Sequence, residues 1–129
     1  MAWVAVTISV ALLEYFFFVM AVGRARGRLK IAAPAVTGHP DFERVYRVQM
    51  NTLELLIIFV PAILLFANYV SAAVAAGLGA LFIIGRALYY AGYTRAANKR
   101  GIGAGISFLA ALVLLVGGLI GAVLTAVRA

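Results

Sequence analysis

Four stretches of this 129-residue chain are apolar for about 20 residues or more, the length at which an α-helix crosses the hydrocarbon of a bilayer. They run over about 2–23, 47–70, 72–93 and 103–127. Hydrophobic residues make up 66% of the sequence, and a soluble domain of this size has too little interior to hide them. In lipid only helices and closed barrels satisfy their own backbone groups. The runs are continuous rather than alternating, so helices are expected. The expected fold is all-α and integral to the membrane, a single membrane domain over 1–129.

One connection is long, the basic loop 24–42, where Pro34, Gly38 and Pro40 argue against a helix. His39-Pro40-Asp41 is read as the opening of the second helix, with Asp41 as N-cap or first-turn acid. The connections 68–71 and 99–103 are short, which makes neighbouring helices antiparallel and gives an up-down four-helix bundle. Both termini then lie on one side. Arg24, Arg26, Arg28, Lys30, Arg44, Arg47, Arg95, Lys99 and Arg100 lie on the other. By the positive-inside bias that basic side is cytoplasmic. No basic residue precedes the first apolar run, which fits a retained span better than a cleaved leader.

The net charge of +7 is thus a topology signal beside apolar spans, not the basic face of a nucleic-acid binder. With no cysteine and one histidine, His39, the chain has no thiolate chemistry of its own, and no metal site is expected.

Charge and amide inside the apolar spans point to a site. Arg47, Asn51 and Glu54 recur at i, i+4 and i+7, within roughly 60° of one helix face. Arg86, Tyr89 and Tyr93 share a face of the third span in the same way, and Arg100 joins them if that helix runs past the membrane surface. Chain direction puts Glu54 and Arg86 at similar depth, and they are expected to pair. An isolated charge at the centre of a span costs about 2.5–3.5 kcal/mol on insertion scales, so such groups are functional candidates. Gln49 points away from the Arg47 face; either it meets a neighbouring subunit or it has no special role. Glu14, in the middle of the first span, reads as a neutral or hydrogen-bonded interior carboxyl reaching Arg86. Pro61 is expected to kink the second helix. Gly77, Gly79, Gly85, Gly117 and Gly121 read as helix-packing positions.

Guanidiniums, one carboxylate, an amide and two phenols suit a small zwitterionic ligand, its carboxylates taken by Arg and its ammonium by Glu54. Glutathione matches that inventory, and a nearby arginine favours its thiolate.

The runs Phe42-Glu43-Arg44-Val45-Tyr46-Arg47-Val48-Gln49-Met50-Asn51-Thr52-Leu53-Glu54 and Arg86-Ala87-Leu88-Tyr89-Tyr90-Ala91-Gly92-Tyr93-Thr94-Arg95 resemble the membrane-associated proteins in eicosanoid and glutathione metabolism (MAPEG). The resemblance is strongest to the cysteinyl-leukotriene synthase and microsomal glutathione transferase branches. It implies a homotrimer with glutathione between adjacent subunits near the cytoplasmic side. It also implies that Arg47, Asn51, Glu54, Tyr89, Tyr93 and Arg100 of one subunit bind it together with Arg26 and Gln49 of the next. Arg86 is also a ligand position by resemblance, and Arg100 matches the thiolate-stabilising arginine. The second substrate, a lipophilic electrophile or lipid hydroperoxide, arrives through the bilayer among the membrane lipids. Two residues depart from the pattern: Val48 stands for a small Ala, and Leu55 for a Tyr of the leukotriene-forming branch. The Ala/Gly-rich helices suggest a bacterial relative, placed in the inner membrane. Two other readings stand beside the transferase: a lipid-binding family member without catalysis, and a small proton-coupled multidrug exporter using Glu14.

Overall fold

The computed structural model describes residues 1–129, the Ala97 side chain excepted. It contains α1 (Ala2–Leu29), α2 (Pro40–Tyr69), α3 (Ala72–Tyr93) and α4 (Gly101–Arg128), with a single 3-10 turn at Ala97–Lys99 before α4. No strand occurs among the described residues. All four helices are long and apolar enough to cross a membrane. The protein is a multi-pass, all-α membrane bundle.

The helix ends differ from the sequence reading. α1 continues past 23 to Leu29, so Arg24, Arg26 and Arg28 are helical and the loop is only 30–39. Gly23 and Gly27 do not stop the helix, because the intervening Arg and Ala are good helix formers. Arg26 and Arg28 fall in the last turn, where cations complement the C-terminal dipole. Lys30 closes α1 in the left-handed region at φ 58. α2 is capped by His39, and Asp41 is a first-turn acid rather than the cap: His39 Nδ1 accepts from the Asp41 amide at 3.1 Å, with Pro40 as first helical residue. The Glu43 carboxylate reaches back to accept from the Gly38 amide at 3.1 Å.

α2 has 30 residues, about 45 Å of helix against a hydrocarbon core of about 30 Å. It runs on through Pro61, which sits at an exposed position. α2 and α3 each pack on every other helix, whereas α1 and α4 share few contacts. The two flanking helices therefore lie on opposite sides of the α2–α3 pair. The core between them holds Phe59 stacked on Phe82, ring centroids 4.0 Å apart, with Leu56, Ile63, Phe66 and Leu114 around them. α3 and α4 meet backbone to backbone: a Cβ on Gly85 would strike Ser107, and one on Gly103 would strike the Tyr89 backbone. Near the other end Gly117, Gly118 and Gly121 face Phe66 and Tyr69 of α2. Gly77 has open space around it, so it is not a packing glycine. Most large side chains on the outside are apolar, such as Leu13, Phe16, Ile57 and Leu119, as a lipid-facing surface requires.

Candidate functional site

The 3.6-residue period of α2 turns Arg47, Asn51 and Glu54 toward α4. There they line a groove made of two adjoining recesses. The smaller, about 200 Å³, is walled by Arg47, Asn51, Tyr89, Tyr93, Arg100 and Ala104. The larger, about 600 Å³, shares Arg47, Asn51 and Ala104 and descends past Glu54 and Arg86 to Leu55, Ile58 and Phe108. The groove is thus polar at the basic end and apolar further into the span. Arg100 arrives from the residue just before α4, its guanidinium 5.9 Å from the Tyr93 ring. Tyr93 in turn meets Tyr89 edge-on at 5.3 Å. Val48, fully buried, packs with Phe18 and Tyr89, so its bulk supports the tyrosine from behind.

The expected Glu54–Arg86 pair does not form. Glu54 instead lies 3.9 Å from Arg47, both side chains more than half exposed. Arg86 is fully buried and bonds inward to neutral acceptors from two other helices. Its Nε and Nη2 donate to Ser107 Oγ at 2.9 and 2.6 Å, and its Nη1 to Asn51 Oδ1 at 2.7 Å and Thr52 Oγ1 at 3.2 Å. The Tyr89 ring lies 4.4 Å from its guanidinium carbon. These four hydrogen bonds to neutral oxygens offset part of the cost of burying the guanidinium. Arg86 was expected among the ligand-binding residues; its guanidinium is taken up by protein acceptors and forms the wall behind Asn51. Because Asn51 Oδ1 faces Arg86, the amide NH2 is left as a donor for the groove.

Three candidates lie elsewhere on the chain. Arg26 donates to the carbonyls of Ala35 at 2.7 Å and Ile31 at 3.4 Å and lies over the Phe42 ring at 4.9 Å. Gln49 donates to the Tyr15 hydroxyl at 3.3 Å, on the α1 side of α2. Neither lines the groove of its own chain. Glu14 makes no hydrogen bond to Arg86, and its Oε1 is buried with no partner among the described residues. Thr52 and Ser107 were not singled out in the sequence. Ser107 carried a usable signal, as the one hydroxyl of the 103–124 stretch.

This geometry defines a class: a multi-pass membrane protein with an arginine- and tyrosine-lined groove at the basic end of its bundle. The MAPEG family model matches residues 4–120. The chain is 43% identical over 101 residues to human microsomal glutathione S-transferase 2, covering 77% of this chain and 69% of that protein. It is 35% identical over 95 residues to guinea-pig (Cavia porcellus) leukotriene C4 synthase, covering 74% and 63%. An uncharacterised protein of Synechocystis sp. is 46% identical over 118 residues, 92% of this chain and 86% of that one. The chain belongs to the MAPEG family.

Proposed function

We propose that the groove binds glutathione and that the protein is a membrane-bound glutathione transferase. One observation carries this reading: Arg47, Asn51, Tyr89, Tyr93 and Arg100 converge on a single recess that continues into an apolar one. The donor set fits the tripeptide. Arg47 and the Asn51 NH2 suit its carboxylates, Glu54 its ammonium, and the two phenols its amide carbonyls. When bound, glutathione supplies a thiol nucleophile. The Arg100 guanidinium lies where it can favour the thiolate over the thiol. Leu55, Ile58 and Phe108 receive a lipophilic electrophile from the bilayer beside the sulfur. In conjugation the sulfur forms the new bond to carbon and the leaving group departs with the electron pair. With a lipid hydroperoxide, two thiols are oxidised to a disulfide, giving an alcohol and water.

The groove of one chain is open on its outer side. Arg26 and Gln49 of a neighbouring copy close it in the homotrimer that the family resemblance implies. The site lies at the cytoplasmic face, by the positive-inside bias, in a bacterial inner membrane. The exporter reading built on Glu14 gains no support from family membership.

Calorimetry in detergent tests binding: a millimolar or tighter dissociation constant is expected, and no heat at that concentration overturns the reading. Arg100→Ala is expected to remove the thiolate absorbance and lower kcat about a hundredfold, the equivalent of about two pKa units. The apolar recess also suits a family member that binds lipid without catalysis. Turnover of an aryl halide with glutathione separates the two, since the lipid binder gives none.

A further inference from the structure

A second recess, about 410 Å³, opens at the basic end on the α1 flank, away from the α4 flank that holds the groove. Ala21, Ala25 and Val45 form its walls, and Arg24, Arg28 and Tyr90 its rim. Arg24 and Arg28 are one helical turn apart and present two guanidiniums to the same opening. Among the described residues neither has a carboxylate or carbonyl partner. The two acids at the start of α2 are engaged elsewhere, Asp41 with Arg44 and Glu43 with the Gly38 amide. The Tyr90 hydroxyl is likewise without a partner among the described residues. Below the rim lies an aromatic shelf. Phe17 meets Tyr90 edge-on at 5.6 Å, Phe18 stacks on Tyr90 at 5.2 Å, and the Arg24 guanidinium is 5.9 Å from the Phe17 ring. Phe17 is seven residues before Arg24, about 10 Å deeper along the helix. The recess therefore passes from charge to hydrocarbon at the depth where lipid headgroups sit.

We propose that this recess holds the headgroup of an anionic phospholipid, with Arg24 and Arg28 on its phosphate oxygens and an acyl chain over Phe17. Guanidinium forks match phosphate oxygens, and basic pockets between membrane helices favour anionic headgroups. The small side chains of Ala21 and Ala25 leave the room that the phosphate fills. This site does not depend on the glutathione reading.

Native mass spectrometry of the full chain in neutral detergent tests the site, with phosphatidylglycerol or phosphatidylcholine added. Retention of phosphatidylglycerol at least tenfold above phosphatidylcholine is expected. The Arg24→Gln/Arg28→Gln double variant is expected to lose about twenty-fivefold in retention, about fivefold per cation. Arg95→Gln/Lys99→Gln, with the same change in charge, stays within twofold of the parent. Should the first double variant fail to fold, Arg28→Gln alone, at an exposed position, carries the test at about fivefold. Equal retention of the two lipids, or equal losses in the two double variants, overturns the proposal. Complete displacement of the lipid by millimolar inorganic phosphate also overturns it, by assigning the recess to the free ion.

Discussion

The Asn51 side chain faces two ways. Its Oδ1 accepts from Arg86, and its NH2 looks into the groove, so one residue joins the buried network to the candidate site. Asn51→Asp keeps the acceptor but replaces the donor with negative charge. That variant is expected to hold its thermal midpoint while glutathione affinity drops tenfold or more, about 1.4 kcal/mol, as read by calorimetry. Unchanged affinity would remove Asn51 from the proposed site. Ser107→Ala acts on the other half of the network, because it strips the acceptor from Nε and Nη2 of Arg86. Losing the partner of a buried charged donor costs about 2–3 kcal/mol. Thermal unfolding in detergent should therefore show a lower midpoint for Ser107→Ala, and an unchanged one would mean the network adds nothing to stability. The motif around these residues divides by role. Arg44 bonds within the start of α2 and Glu43 ties it to the preceding loop, Val48 packs behind Tyr89, and Arg47, Asn51 and Glu54 face the groove.

Helix contacts depend on how closely backbones approach, and glycine position decides that here. A Cβ at Gly103 runs into the Tyr89 backbone, which cannot yield as a side-chain tip can, whereas one at Gly23 meets nothing within 4 Å. Gly103→Ala is therefore expected to destabilise by about 1–3 kcal/mol through overpacking, and to disturb the Tyr89 wall of the groove. Gly23→Ala is expected to stabilise by about 0.5–1 kcal/mol, because it relieves the entropy cost of a helical glycine. The two alanine variants should move the thermal midpoint in opposite directions, and a shift of the same sign for both would contradict the packing described. The element scale also shows what the sequence could tell. Helix number and type were legible because each span is apolar over a membrane's thickness. The end of α1 was not, since an Arg/Lys-rich stretch is equally at home in a solvated helix and in a loop. The faces of Arg47, Asn51, Glu54 and of Arg86, Tyr89, Tyr93 followed from the helical period. Helical period does not say which neighbour a face meets, and for that reason the Glu54–Arg86 pair was misplaced. Arg86 found Ser107 and Thr52, hydroxyls whose role depends on how α2, α3 and α4 cross.

At the scale of the whole molecule, the surface between the helix ends is largely apolar, with charge at depth beside the groove. Glu54 lies seven residues, about 10 Å, inward from Arg47, and both are more than half exposed. Charges bared to hydrocarbon at that depth are costly, and a 3.9 Å contact offsets only part of the cost. A ligand in the groove and a second copy across its mouth would cover both residues. On this reading Arg26 and Gln49, which miss the groove of their own chain, face the groove of the next. Subunit mixing tests it directly. Arg26→Ala and Arg100→Ala are each expected to give assemblies with little conjugating activity. Co-expressed in equal amounts, they form rings in which some sites take Arg100 from one variant and Arg26 from its neighbour. In random mixtures with one shared site per interface, about a quarter of sites regain both residues, and about a quarter of parental activity should return. If both arginines serve a site within one chain, every site in the mixture lacks one of them and no activity returns. Mixing after purification in detergent, under conditions where subunits do not exchange, should also restore nothing, which ties any recovery to assembly.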